Sequence, residues 1–326
     1  MVVLTARAPG DAPGAVRRAL LVVNPAARRA GPREREAVAA FARAGVAYDV
    51  RRTEAPGHAG ALARGLALAD GAAYDAVFTL GGDGTAMEVV GALAGSGVPV
   101  GVLPGGTGNL VARTLGIPLG TGRAVAALLA GGRARVDLGA LRVGGEAAGP
   151  AHLFAFAAGV GVDARMIEGT SAAWKRRVGV LAYAVTAARA VVARERFAVR
   201  VVVDGEELTA DATAVMVANF GAVLGDLFRF GPGIREDDGL LDVCIFRPGS
   251  FAESAIAFAR LVRKDFRPHA ALLYRSGRAI AVETDPPRPV QADGELLGRT
   301  PFAVRAVPLA ATLLVPAGRR PRAAAA

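Results

Sequence analysis

The sequence predicts an α/β domain followed by a β-rich domain. Three observations carry that division. Up to about residue 138, apolar strand-like runs alternate with stretches of helical spacing. Several of those runs empty into glycine-rich turns. Beyond about residue 140 the runs shorten, and hairpin signals such as Gly144-Gly145 and Asp204-Gly205 lie near their ends.

Residues 1–17, rich in Ala, Pro and Gly, read as a flexible leader. The first strand, Ala19 to Val23, ends in Asn24-Pro25-Ala26-Ala27-Arg28, which suits a phosphate loop or an ordinary turn. A helix (Arg33 to Ala44), a strand (Ala47 to Val50), Thr53 and a helix (Ala59 to Ala69) follow. Next comes the apolar run Tyr74 to Phe78 and then Thr79-Leu80-Gly81-Gly82-Asp83-Gly84-Thr85, with a helical pattern from Ala86 to Leu93 that includes Glu88. Strand, glycine turn and helix place backbone N–H groups and a helix N-terminus at one point, which suits a phosphate. A carboxylate there, Asp83, beside a polyphosphate implies a bridging cation such as Mg²⁺. The run Val98 to Leu103 ends in a second glycine loop, Pro104-Gly105-Gly106-Thr107-Gly108-Asn109. Thr107 and Asn109 can bond a phosphate or ribose, and Arg113, one helical turn on, can pair with an anion. Parallel strands bring both loops to one cleft of nucleotide size.

In the second half, short strands are read near 138–143, 151–157, 198–203 and 213–218, with one helix at about Lys175 to Ala193. The acidic turn Arg235-Glu236-Asp237-Asp238-Gly239-Leu240 is a metal loop or a solvated hairpin. After a helix at about Phe251 to Lys264 comes Asp293-Gly294-Glu295. It reads as a hairpin turn or as an extended pair, which at i and i+2 puts both acids on one side of a strand, where one can serve as a general base. The end reads as two strands, Pro301 to Pro308 and Ala311 to Pro316, and a disordered tail at 318–326.

Composition narrows the partners. Hydrophobic residues make up 52% of the chain, which supports buried cores. The net charge of +10 suits an anionic partner, whether nucleotide or lipid surface. Aromatics at 6% argue against a nucleic-acid stacking surface. The single cysteine, Cys244, reads as a buried apolar residue in a reducing compartment. No apolar run reaches a membrane span, and the start lacks a signal-peptide pattern, so a cytoplasmic protein peripheral to a membrane is expected. His58, His152 and His269 lack metal-ligand spacing. Trp174 with Lys175-Arg176-Arg177, and Arg260 to Arg267, are candidate docking segments; a homodimer is a candidate assembly.

Together, Asn24-Pro25, Gly81 to Thr85, Pro104-x-Gly106-Thr107-x-Asn109-x-x-Ala112-Arg113, Asp238-Gly239-x-x-Asp242 and Asp293-Gly294-Glu295 resemble, in kind and order, the diacylglycerol kinase and sphingosine kinase family of lipid kinases. The likeness, closest to the soluble bacterial branch, spans roughly residues 19–317. It implies an α/β domain like that of NAD kinase and phosphofructokinase at 18–138. A β-sandwich lipid domain would follow at 139–300, and strands at 301–317 would return to the first domain. It further implies ATP and Mg²⁺, with a lipid substrate at an anionic membrane surface. Nucleotide contacts would fall to Asn24, Pro25, Ala26, Ala27, Arg28, Thr53, Gly81, Gly82, Asp83, Gly84, Thr85, Glu88, Gly106, Thr107 and Asn109. Glu295 matches the proton acceptor, with Asp293 beside it. A structural Mg²⁺ would sit at Asp238 with the carbonyls of Arg235 and Leu240. The family's usual Ser-Gly is Ala27-Arg28 here, and Met87 stands where many members have Asn. Two rivals are weaker. NAD kinase shares the GGDGT stretch but not the second glycine loop's motif. A non-enzymatic lipid-binding or regulatory protein of this fold would not need Asp83, Glu88, Asp293 and Glu295 together.

Overall fold

The computed structural model describes residues 15–27, 30–68, 74–106, 108–145, 149–161, 196–220, 222–223, 228–229 and 231–318. Most of the leader, Arg28, Thr107, Trp174, the basic segment 175–177 with its expected helix, and residues 319–326 lie outside the described residues.

The first half alternates as expected: β1 (Arg18–Val23), α1 (Ala30–Arg43), β2 (Ala47–Arg52), α2 (His58–Ala67), β3 (Ala76–Gly81), α3 (Asp83–Ala92), β4 (Val100–Pro104) and α4 (Leu110–Thr114). The strands pair in parallel in the order β2-β1-β3-β4. β3 and β4 are buried along their whole length, which is why their sequences read as continuous apolar runs rather than as alternation. A further helix, α5 (Thr121–Leu129), packs beside α1; its apolar residues carried no cap signal strong enough to announce it.

The second half is a sandwich of two sheets. Its strands are β5 (Gly132–Val143), β6 (His152–Phe154), β7 (Ala157–Gly161), β8 (Phe197–Val203), β9 (Glu206–Ala212), β10 (Ala214–Ala218), β11 (Ala222–Val223), β12 (Phe228–Arg229) and β13 (Leu241–Phe246). Helix α6 (Phe251–Arg263) intervenes, and β14 (Leu272–Gly277), β15 (Ala279–Asp285), β16 (Pro289–Ala292), β17 (Glu295–Arg299) and β18 (Phe302–Val315) complete the chain. One sheet runs β14-β13-β10-β7-β16-β17; the other continues the parallel sheet as β4-β18-β15-β8-β9, with β5 along β18 and β6 on β5. β8 alternates buried and exposed residues, so one face fills the sandwich core and the other does not. Cys244 is buried on β13, and burial raises its thiol pKa.

Two expectations are corrected here. The end is one strand of 14 residues, not two, and it passes through both halves of the molecule. Its start pairs with β15, its end with β4, and β5 follows it throughout. β5 likewise begins at Gly132, so a boundary drawn at 138 falls inside a strand. The break that suggested two strands is a register shift between Val307 and Ala311, where Leu309 takes a φ of +48°. Asp137, buried on β5, holds the bulge: its Oδ1 accepts from the Leu309 N–H and its Oδ2 from the Gly239 N–H, each at 2.6 Å. Among the described residues, no helix is long and apolar enough to cross a membrane.

Candidate active site

The GGDGT stretch is tighter than a loop. Gly81 still belongs to β3 and Asp83 already opens α3, so Gly82 alone makes the turn. Gly82 has a φ of −85°, open to any residue, and no described atom lies within 4 Å of where its Cβ would stand. Packing therefore does not demand glycine there; the free space lies at the N-terminus of α3. Gly105 is the opposite case. A Cβ on it would meet the backbone N and O of Gly81 at 2.7 Å, so the second glycine loop lies directly on the first. Gly105→Ala is expected to cost about 2 kcal/mol or more, because backbone on both sides cannot yield. Urea unfolding checks this; a variant as stable as the parent would mean the loops separate without penalty.

The remaining first-half residues divide into those facing the turn and those bracing it. Asn24 Nδ2 donates to Thr85 Oγ1 at 3.1 Å, and its Oδ1 accepts from the Ala26 N–H at 2.9 Å, so the Asn-Pro turn is tied to α3. Thr53 follows β2, its N–H bonded to the Val23 carbonyl at the same strand ends. Asn109 also ties its own loop: its Oδ1 accepts from Gly106 N–H and its Nδ2 donates to the Gly106 carbonyl. It braces the loop and is buried. Arg113 Nε likewise donates to the Gly108 carbonyl.

Glu88 also has a bracing contact. Its Oε2 accepts from the Ala59 N–H at 3.1 Å, capping α2, whose own N-cap Gly57 offers no side chain. Glu88→Ala is expected to lower stability by about 1 kcal/mol with nucleotide affinity unchanged. Denaturant unfolding alongside a nucleotide titration separates the two; a loss of affinity would return Glu88 to the binding set.

Asp83 combines both kinds of role. Its Oδ1 accepts from the Val111 N–H at 3.0 Å, at the start of α4. Burial raises its pKa, opposed by the amides of Val111 and Leu110.

Asp293 and Glu295 come to this point from the other half, but not as an extended pair. Asp293 (φ +46°) and Gly294 (φ +92°) are the two turn residues between β16 and β17. The turn sends the two acids in different directions. Asp293 Oδ2 accepts from the Ala155 N–H at 2.7 Å, and its Oδ1 from Phe156 and Ala157 at 2.9 and 3.1 Å. Burial still pushes its pKa up to about 6, with repulsion from Asp83 adding to it. Asp293 thus fixes the turn. Glu295 is exposed, and its Oε1 lies 3.6 Å from where a Cβ on Gly84 would stand. A carboxylate from the second half is thereby set against the first turn of α3.

The acidic turn at 235–240 lies against the same core strands. Asp238 Oδ1 accepts from the Leu240 N–H, and Arg235 pairs with Asp237 at 3.0 Å. Burial raises the pKa of Asp238, and Asp137 and Asp237 add repulsion. Burial also pushes Asp242 up to about 6, with Asp238 contributing. Among the described residues, no cluster of three His, Cys, Asp or Glu side chains could hold a metal. Asp238 with backbone carbonyls is nonetheless a hard oxygen set, its charge only partly offset by Arg235, which fits Mg²⁺ keeping several waters.

His58 and His269 are structural: their Nδ1 atoms accept from the N–H groups of Glu54 and Ala271. Asp137 and Asn219, central below, were missed, although an acid inside the apolar run of β5 was a visible signal.

Comparison with known proteins agrees with the fold. Residues 18–141 match the diacylglycerol kinase catalytic domain, and residues 157–315 match the YegS C-terminal NAD kinase beta sandwich-like domain. A Mycobacterium tuberculosis (strain H37Rv) protein named diacylglycerol kinase is 28% identical over 253 residues, 77% of this chain and 80% of that one. An uncharacterized Synechocystis protein, sll0036, is 28% identical over 76% of this chain, and the match spans 56% of its length. A solved structure of a diacylglycerol kinase from Bacillus anthracis str. Sterne shares the fold, with a TM-score of 0.70 at 22% identity over 92% of this chain and 97% of its own. Two consecutive domain matches cover nearly all of the paired sheets that carry the Gly82 turn and Glu295, and on that footing the chain belongs to the diacylglycerol kinase-like family of lipid kinases.

Proposed function

We propose that this chain transfers the γ-phosphoryl group of ATP to a lipid hydroxyl, with diacylglycerol giving phosphatidic acid as the leading acceptor. The observation that carries the reading is the exposed Glu295 carboxylate set against Gly84, beside the open space at Gly82. The first turn of α3, which has no side-chain cap at Gly82, opens on this space, and the helix end favours the charge of phosphate oxygens. Asn24, Thr53 and Thr85 line the same strand ends. Glu295 accepts the proton of the lipid hydroxyl as that oxygen bonds to the γ-phosphorus and the bond to the β-phosphate oxygen breaks, releasing ADP. Asp83, together with the nucleotide, and Asp238, with the carbonyls of Arg235 and Leu240, would hold Mg²⁺, which would supply charge neutralisation. The +10 net charge supports attraction to an anionic bilayer, where such a lipid resides.

The test is purified protein with labelled ATP and Mg²⁺ against diacylglycerol, monoacylglycerol, ceramide, sphingosine, phosphatidylglycerol and, separately, NAD. Label in a lipid supports the reading. Label in NAD alone, or in no acceptor while nucleotide binds, overturns it.

A further inference from the structure

Asn219 stands just past β10, where β10, β7 and β16 lie side by side, and it is fully buried. Its Nδ2 donates to the carbonyl oxygens of Asp137 at 2.7 Å and Ala155 at 2.9 Å. Two carbonyl acceptors fix the amide's orientation, since the flipped form would set oxygen against oxygen. Its backbone N–H donates to the Phe156 carbonyl at 2.9 Å.

The same two peptides continue to Asp293. The Ala155–Phe156 peptide takes the Asn219 side chain at its carbonyl and gives the Phe156 N–H to Asp293 Oδ1. The Phe156–Ala157 peptide takes the Asn219 N–H at its carbonyl and gives the Ala157 N–H to the same oxygen. Two parallel hydrogen-bond chains, each one peptide long, therefore join Asn219 to Asp293. A peptide engaged at its carbonyl is polarised into a better donor at its N–H. Both peptide dipoles present their positive ends to a half-buried carboxylate whose charge desolvation and Asp83 otherwise disfavour. The remaining contact, to Asp137, reaches the β5–β18 pair that runs through both halves of the molecule.

Resting on the kinase reading above, we propose that Asn219 is a positioning residue for phosphoryl transfer. Through peptides 155–157 and Asp293 it holds the turn that presents Glu295 to Gly84, and through Asp137 it references that turn to the nucleotide half. No polar atom of Asn219 is required at the substrate.

Asn219→Ala is the test, with Asn219→Ser, which keeps one donor, read in the same way where the alanine variant does not fold. Expected is a fall in kcat of about 100-fold, the scale of a displaced catalytic group, with the affinity for a fluorescent ADP analogue unchanged. Amide hydrogen exchange should quicken at residues 155–157 and 290–297 and stay as in the parent at residues 76–92. The loss in kcat should be much less than additive with Asp293→Asn, because both act through one chain. Unchanged exchange at 290–297, exchange raised equally in both halves, or an additive double variant would each overturn the proposal. If the parent protein phosphorylates no acceptor, the kinase reading falls, and the exchange comparison alone decides the positioning claim.

Discussion

Glu295→Gln is expected to lower kcat by about 10²–10⁴-fold, the usual contribution of a positioned general base. The amide is nearly isosteric with the carboxylate, and Glu295 is exposed on an edge strand, so the fold has little to lose. Nucleotide affinity should stay within about twofold, since only an interaction made as the lipid hydroxyl reacts has been removed. Single-turnover kinetics with Mg-ATP and the accepted lipid, alongside a thermal melt, measure both quantities. A variant with near-parental kcat would show that the proton leaves by another route.

Asp83→Asn carries the second large effect, and a contrast with Asp83→Ala sharpens it. Asparagine keeps an oxygen for the Val111 N–H, so α4 stays capped, while the charge is lost. The value of kcat/KM for Mg-ATP should fall by about 100-fold or more, the scale of removing one fixed electrostatic contact. Stability should rise at neutral pH. Burial raises the Asp83 pKa above 3.8, so the folded chain binds this proton more tightly than the unfolded one. The contribution of Asp83 to stability therefore falls as the pH rises from that value, and the asparagine variant should lose this part of the pH dependence. Asp83→Ala also gives up the cap and should be less stable than Asp83→Asn by about 1 kcal/mol. Urea unfolding at pH 4 and pH 7 with steady-state kinetics distinguishes the outcomes. An asparagine variant with normal turnover would reduce Asp83 to a helix cap.

Both predictions rest on residues that stood out in the chain, yet their neighbours did not behave alike. Glu88 and Asn109 belong to the same motifs, and each is tied to backbone groups, of α2 or of the second glycine loop. A motif fixes residue type and spacing; it does not say which way a short polar side chain turns. That choice depends on which backbone donors lie unpaired nearby once helices have packed.

The parallel half was readable because its information is local. Buried parallel strands are continuous apolar runs, helices repeat at their own period, and glycine marks the turns between them. The 14 residues of β18 looked like two strands because Pro308 and the left-handed Leu309 break the pattern locally; pairing with β5 on both sides of the break makes them one. The Asp293-Gly294 turn was named as a hairpin alternative, but nothing adjacent to it could tell that three amides from residues 155–157 would claim Asp293 and leave Glu295 outward.

The order of strands and helices, the two glycine turns and the burial of Cys244 thus follow from the chain itself, because each is set by residues within a few positions of one another, whereas Glu295 is singled out from Asp293 by the family resemblance. The meeting of Glu295 with Gly84, the brace from Asn219, and the division of acids into those that hold the backbone and the one that faces the cleft required the folded molecule. They are contacts between segments separated by scores to hundreds of residues, and sequence spacing carries no record of such distances.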